Sequence, residues 1–263
     1  MAMERLAEIR EEDATGDTAV LYEQIRATLG TPVVNYIWRH LATIEGALPW
    51  CWTTVAENAP RIQAAQPSLR AFSIRLLVER GIATPSIWRP RRRGLGDVVA
   101  SYNRGNAWNL LSMTLLAAAR AGQHPPPFTP PAGFHRAPTP LSPPPYPNYK
   151  DLRPEVRENI DILAAAGPAA TTGIRPSLWV HLGLWPDVLD VITPRVAETL
   201  ASASFAGAHA LLLRDSPALL ELDVAPPAIK APPREAPIDR AIRRFRRRIA
   251  EMVLIGVALA APQ

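Results

Sequence analysis

The chain has 263 residues, enough for one large domain or two small ones around a sizeable core. Its formal charge is +5, but only Lys150 and Lys230 among the 29 basic residues are lysine, a GC-rich coding pattern that does not by itself point to nucleic acid. Cys51 stands alone and excludes internal disulfides and CxxC centres, and the apolar run Met252–Ala261 is too short to span a bilayer.

Met1–Ala14 is charged and reads as frayed or loosely docked, without the pattern of a signal peptide, so a cytoplasmic protein with no membrane partner is expected. Gly16–Leu29 is the first predicted helix, with Val20, Leu21 and Ile25 inward and Gly30 as its stop. Thr31–Trp52 follows and organises the chain: Val34, Ile37, Trp38, Leu41, Ile44 and Leu48 recur at helical steps on one face. Thr31 is its predicted N-cap, Pro32 sits where a first-turn proline is tolerated, and Pro49 stops or kinks it. Trp50–Asn58 and Leu69–Leu77 continue helically. Gly94–Val99 leads through Ser101–Asn106 into a strong helix at Ala107–Ala119. Asn106 is read as the N-cap of that helix, with an amide-lined pocket at a helix junction as the competing reading.

His124–Asn148 is too dense in proline for regular helix and reads as an extended connector. Beyond it, Pro154–Ala165 is helical, Ser177–Ile192 is a helix interrupted by Pro186, Pro194–Leu213 is largely helical, and Leu219–Pro237 is a second proline-spaced connection. Asp239–Ala260 is the last helix. No stretch alternates at period two, so the predicted fold is all-α. The organising stretch recurs 141 residues later, with Thr31 on Thr172, Trp38 on Trp179, His40 on His181 and Leu48 on Leu189. The chain therefore divides into a first helical repeat at 1–123, a Pro-rich linker at 124–148 and a second repeat at 149–263, expected to pack as an intramolecular pseudo-dimer.

Two arginine clusters stand out. Arg89–Arg93 lies in a proline-broken loop, and Arg243–Arg248 lies on a helix whose stripe is Ile242, Phe245, Ile249 and Met252. Phosphate binding and a solvated helix face compete for the second cluster. The solvated face is the simpler account because no nucleic-acid motif accompanies it, so a nucleic-acid partner is disfavoured. His40 and His181 are either acid–base groups approaching one cavity or histidines satisfied by partners at a helix interface, and the latter is favoured. No HxxxH, HxH or ExxH places two metal ligands on one helical face, and neither a nucleophile elbow nor a phosphate cradle is present.

Val20–Trp50, Tyr102-Asn103-Arg104-Gly105-Asn106 followed by Leu110-Leu111, and Trp185-Pro186-Asp187-Val188-Leu189 resemble, in this order, segments of the group I 2-haloacid dehalogenase family. The resemblance implies two helical repeats, a distant likeness to the AhpD fold, and hydrolytic halide removal from 2-haloalkanoates without cofactor or metal. In that chemistry an aspartate activates the water that attacks the halogen-bearing carbon directly. It places the catalytic centre at Ser177, Leu178 and His181, and substrate binding at Val33, Asn35, Asn103, Asn106, Thr172, Arg175 and Phe245. The expected aspartate falls on Leu178, which cannot deprotonate water. A hydrolase with a relocated base such as His181, a degenerate one, and a non-catalytic binder of a small carboxylic acid remain the alternatives. A small-molecule carboxylate is the expected partner, and a homodimer is left open. The expected pocket lies between the halves, with Asn103, Arg175 and His181 among its few polar groups.

Overall fold

Prolines and glycines punctuate this chain, and the helices start and stop on them. A computed structural model describes residues 6–82, 92–130, 141–222 and 236–260. Among these residues there are ten α-helices and no strand, so the fold is all-α. α1 spans Gly16–Leu29 and ends where Gly30 turns left-handed at φ 61°, its N–H returning to Arg26 O. Proline is the first residue of α6 (Pro154–Ala166), α8 (Pro186–Ala201) and α10 (Pro237–Ala260), where its missing N–H costs nothing. No helix among the described residues is long and apolar enough to cross a membrane.

The organising stretch is not one helix. It is α2 (Tyr36–Leu41) and α3 (Ala47–Glu57), separated by a break at which Gly46 takes φ 67°. Asn35, not Thr31, is the N-cap residue of α2. Pro49 does not stop the helix. It lies in the first turn of α3, where backbone N–H groups have no intrahelical acceptor to lose. α4 (Ala59–Glu79) runs longer than the pattern suggests and carries Pro67 inside it.

α5 (Leu95–Arg120) is the larger correction. It is continuous over 26 residues, so Asn106 is a mid-helix residue and not a cap. Its C-terminal half is buried almost all round, and α10 packs along it as the central pair of the molecule. α5 and α10 themselves stand 141 residues apart to within one residue at each end, and α2 and α7 (Ser177–Leu182) are six residues each in the same frame. α9 (Ala203–Asp215) completes the set; Ser202 caps it by accepting the Phe205 N–H at 3.1 Å.

The α5–α10 crossing is close. Asn103 Nδ2 donates to Gly256 O at 3.0 Å, and a Cβ on Gly256 would sit 1.9 Å from Asn103 Oδ1. Gly256→Ala is therefore expected to lose that bond and overpack the seam, costing about 1–3 kcal/mol in denaturant unfolding. Asn103→Ala in the same chain should restore much of the loss. No change on Gly256→Ala would mean that the crossing is looser than described.

The N-terminal segment is docked rather than frayed from Leu6 onward; residues 1–5 lie outside the described residues. Ile9 N–H donates to Arg39 O at 3.0 Å, Val34 N–H to Glu11 Oε1 at 2.8 Å, and Tyr36 OH to Leu6 O at 2.8 Å. The described ends of the Pro-rich segment, 124–130 and 141–148, have neither helix nor strand, and 131–140 lie outside the described residues. Each end is anchored. Arg61, 3% exposed, donates to Pro126 O and stacks over Phe128, while His181 bonds Pro144 O. Most of the connection at Leu219–Pro237 (223–235), and Arg89, Pro90 and Arg91 of the first arginine cluster, lie outside the described residues.

Candidate functional site

The short helices α2 and α7 each deliver their first turn to the flank of the α5–α10 pair. There they close a cavity of about 60 Å³, room for a few heavy atoms. α5 contributes Tyr102, Asn106 and Asn109, spaced so that they share one face. Asn35 comes from the N-cap of α2, Arg175 from the turn just before α7, Ser177 and Leu178 from its first turn, and Phe245 and Arg248 from α10. Ile37, Ile174, Ile249 and Met252 complete an apolar frame.

Six of the sequence-predicted site residues converge here: Asn35, Asn106, Arg175, Ser177, Leu178 and Phe245. Four do not line it. Val33 is exposed, with only its carbonyl engaged, by Thr31 Oγ1. Thr172 is buried behind the cavity, bonding Ala169 O at 2.6 Å through its hydroxyl and accepting Arg244 Nε at its carbonyl at 2.9 Å. Asn103 lies 100° around α5 from Tyr102 by helical geometry, about a quarter turn, and is spent on Gly256. His181 stands one residue further out, behind Tyr102. The expected grouping of Asn103, Arg175 and His181 in one cavity is therefore replaced by Asn106, Asn109 and Arg175. Tyr102, Asn109 and Arg248 are not among the site residues expected from the sequence. The three- and four-residue spacing of Tyr102, Asn106 and Asn109 would have found two of them had α5 been read as continuous.

The lining is rich in donors. Arg248 is 2% exposed and forms a buried ion pair with Glu251, and its Nη2 donates to Ala164 O at 3.0 Å. Its Nε is buried with no hydrogen-bond partner, as is Asn35 Oδ1. Arg175 pairs with Asp161 at 2.8 Å and lies over the Tyr149 ring at 3.7 Å, which fixes its guanidinium at the rim. Asn109 Oδ1 accepts the indole N–H of Trp38 at 2.9 Å. The matching position 141 residues on is Ala250, which offers no acceptor, and the Trp179 indole N–H is buried without a partner. No aspartate or glutamate is among the described lining residues.

Arg244, Arg246 and Arg247 of the α10 cluster are held by protein acceptors and are not gathered on an open phosphate-binding face. Arg244 donates to Thr172 O, Arg247 to Pro168 O at 3.2 Å, and Arg246 to Leu213 O, Ser216 Oγ and Thr114 Oγ1. They satisfy carbonyls near the ends of other helices, a partner that spacing along one helix does not reveal. Burial pushes the Arg246 guanidinium down to about 10, which leaves it cationic at neutral pH.

His181 and His40 do not share a cavity. His40 Nδ1 meets Ala7 O at 2.7 Å. His181 Nε2 meets Pro144 O at 2.9 Å; a carbonyl only accepts, so Nε2 carries the proton and the Nδ1 lone pair faces Tyr102 OH at 3.4 Å. Burial holds His181 and also His209 below the ordinary histidine value of 6.5, against the opposing carbonyl bonds to Pro144 and Arg247. Tyr102 is raised well above 10.0 by burial and stays a phenol.

These two histidines give a pH dependence of stability. The fold favours their neutral forms, so below 6.5 and above the folded values the unfolded chain binds more protons. Their contribution is full above 6.5, is lost as pH falls through it, and stops changing below the folded values. Melting temperature is expected to drop between about pH 7.5 and about pH 5.5, and His181→Gln with His209→Gln should flatten the drop. An unchanged slope in the double variant would place the titration elsewhere.

No family model matches the chain, and neither does any curated protein. Solved structures do. The chain superposes on a D-2-haloacid dehalogenase mutant with D-2-CPA at a TM-score of 0.74 and 16% identity, over 98% of this chain and 95% of that one. It superposes equally on D-2-haloacid dehalogenase with L-LA, at 0.73 and 16% identity over 98% and 96% of the two chains. At that identity the likeness establishes a shared architecture: the chain has the 2-haloacid dehalogenase fold.

Proposed function

We propose that this protein binds a small carboxylate in the cavity between α2, α7 and the α5–α10 pair, and that it does not hydrolyse carbon–halogen bonds. One observation carries the reading. The cavity is lined by two guanidiniums and three side-chain amides, with Leu178, 2% exposed, where the resemblance calls for an aspartate. Each guanidinium already pairs with a carboxylate outside the lining, so what favours an anion is the supply of N–H donors, the unpartnered Arg248 Nε among them, and nothing in the lining takes a proton from water. The shared fold supports the same ligand class, since the similar structures are described with D-2-CPA and L-LA.

A hydrolase with a relocated base is the second reading, because His181 stands one hydroxyl behind the cavity. For His181 to work through Tyr102, the phenol would have to give its proton to Nδ1 across 3.4 Å while its oxygen takes one from water, and burial opposes the phenolate character that builds up on the way. The binding reading therefore comes first.

Titration calorimetry with L-lactate and 2-chloropropionate, alongside chloride release from both enantiomers of the latter, tests it. Saturable binding without chloride release is expected. Arg175→Gln, at the rim and partly exposed, should weaken binding by about tenfold or more, the scale of one charge-assisted contact. Turnover abolished by His181→Ala would establish the relocated base instead. Absence of binding would overturn the proposal.

A further inference from the structure

Two buried polar atoms among the described lining residues of the small cavity have no partner in the protein, and they are of opposite kind. Arg248 spends Nη1 on Glu251 and Nη2 on Ala164 O, which leaves its Nε–H as an unanswered donor on a side chain only 2% exposed. Asn35 holds the unanswered acceptor, Oδ1. An asparagine at a helix N-cap ordinarily spends that oxygen on an N–H of the first turn, which is why the residue is favoured there. Asn35 makes no such side-chain bond to α2; only its backbone carbonyl receives the Trp38 N–H, at 3.0 Å. The amide has a seat on α5 instead. A Cβ on Gly105, in the middle of that helix, would lie 3.0 Å from Asn35 Nδ2, 3.2 Å from Oδ1 and 3.5 Å from Cγ, so the whole amide rests against bare backbone. Glycine weakens a helix interior relative to alanine, and here it admits a group that alanine would push away.

We propose that Asn35, seated on Gly105, reads the 2-position of the ligand, and that the site is selective for a short 2-hydroxy monocarboxylate. This rests on the small-carboxylate reading above and adds to it the group that sits beside the carboxylate. A carboxylate oxygen answers the Arg248 Nε–H, and the adjacent hydroxyl donates to Asn35 Oδ1. Both unpartnered atoms are then satisfied by a molecule of a few heavy atoms, which is what about 60 Å³ admits. Propionate, a 2-keto acid and a 2-haloacid all lack a donor at that position and would leave Asn35 Oδ1 buried and unanswered. A 2-ammonio acid brings three N–H donors and a charge to a lining in which no carboxylate is described.

Calorimetry on the full chain with propionate, pyruvate, 2-chloropropionate, alanine and both enantiomers of lactate tests the assignment. One lactate enantiomer is expected to bind about tenfold or more tighter than each of the other four compounds, the scale of one buried hydrogen bond gained against one left unmade. Asn35→Ala removes the acceptor, and the ratio of lactate to propionate affinity should fall to about one. Gly105→Ala displaces the amide and should shrink the same ratio, with a cooperative melt checked for both variants. A merely structural role for either residue would weaken lactate and propionate alike and leave the ratio standing, which would overturn the assignment to Asn35. Equal affinity for lactate and propionate in the unmodified protein would mean that a water answers Asn35 Oδ1 as well as the hydroxyl does. That result overturns this inference and leaves the small-carboxylate reading in place, whereas binding of none of the carboxylates overturns both. Pyruvate as the tightest ligand would show that the amide presents its N–H groups, and alanine as the tightest would show a site for a cation; either overturns the ligand class.

Discussion

Leu178→Asp is expected to raise chloride release from 2-chloropropionate by about 10²–10⁴-fold, the range of a positioned general base. The side chain at 178 is buried on the cavity wall, where Arg175 and Arg248, although each already pairs with a carboxylate, still present N–H groups to the same cavity that a new carboxylate can accept from. The water it needs has room in a cavity of about 60 Å³ only if the substrate is small, so longer 2-haloacids should gain less. Leu178→Asn has similar size and no basicity, and it should bind without turnover. A Leu178→Asp protein that folds, binds 2-chloropropionate and remains as inert as Leu178→Asn would show that the base belongs at another position.

Glu251→Leu is expected to cost about 3–5 kcal/mol of unfolding free energy, because it strands the Arg248 guanidinium in the core. Glu251 is 0% exposed, pairs with Arg248, and accepts the Ala169 N–H at 2.9 Å through Oε2. Gly167 is part of the same fit, since a Cβ there would lie 2.1 Å from Glu251 Oε2. Adding Arg248→Met to Glu251→Leu should recover most of the loss, as replacing both members of a buried pair commonly does. The double variant also removes a guanidinium from the cavity wall. It should therefore be stable and deaf to L-lactate. If the double variant is no better than the single one, the lost Ala169 bond outweighs the stranded charge.

Much of the architecture could be read from residue order alone, because the breaks are chemical. Gly16–Leu29 was bounded by its glycines and is α1 as described, and Ser177 opens α7 after a proline. The misreadings have local causes. Gly46 was in plain sight, but an apolar stripe running through it outweighed one glycine, and only the tertiary turn between α2 and α3 uses its left-handed φ. Asn106 is as good a cap as it is a mid-helix amide, and what decides is a pocket made by α2, α7 and α10. The partners of Arg244, Arg246, Arg247 and Arg248 are backbone carbonyls far away in the chain, about which side-chain patterning carries no information. The site was half legible for the same reason: Asn35, Arg175 and Leu178 sit in recognisable stretches, whereas Arg248 was hidden inside an apparent surface cluster.

Two of the elements that close the small cavity, α2 and α7, are only six residues long. Segments of that length do not hold a helix in water by themselves, since the nucleation cost exceeds what a single turn returns. Their first turns, with Leu178 in one of them and Asn35 and Arg175 leading into them, are in place only while α5 and α10 are docked. Recognition and global folding are therefore one thermodynamic event in this molecule. A ligand at about 100 times its dissociation constant should add about 2.7 kcal/mol to the unfolding free energy of the whole chain, read as a shift of a single melting transition.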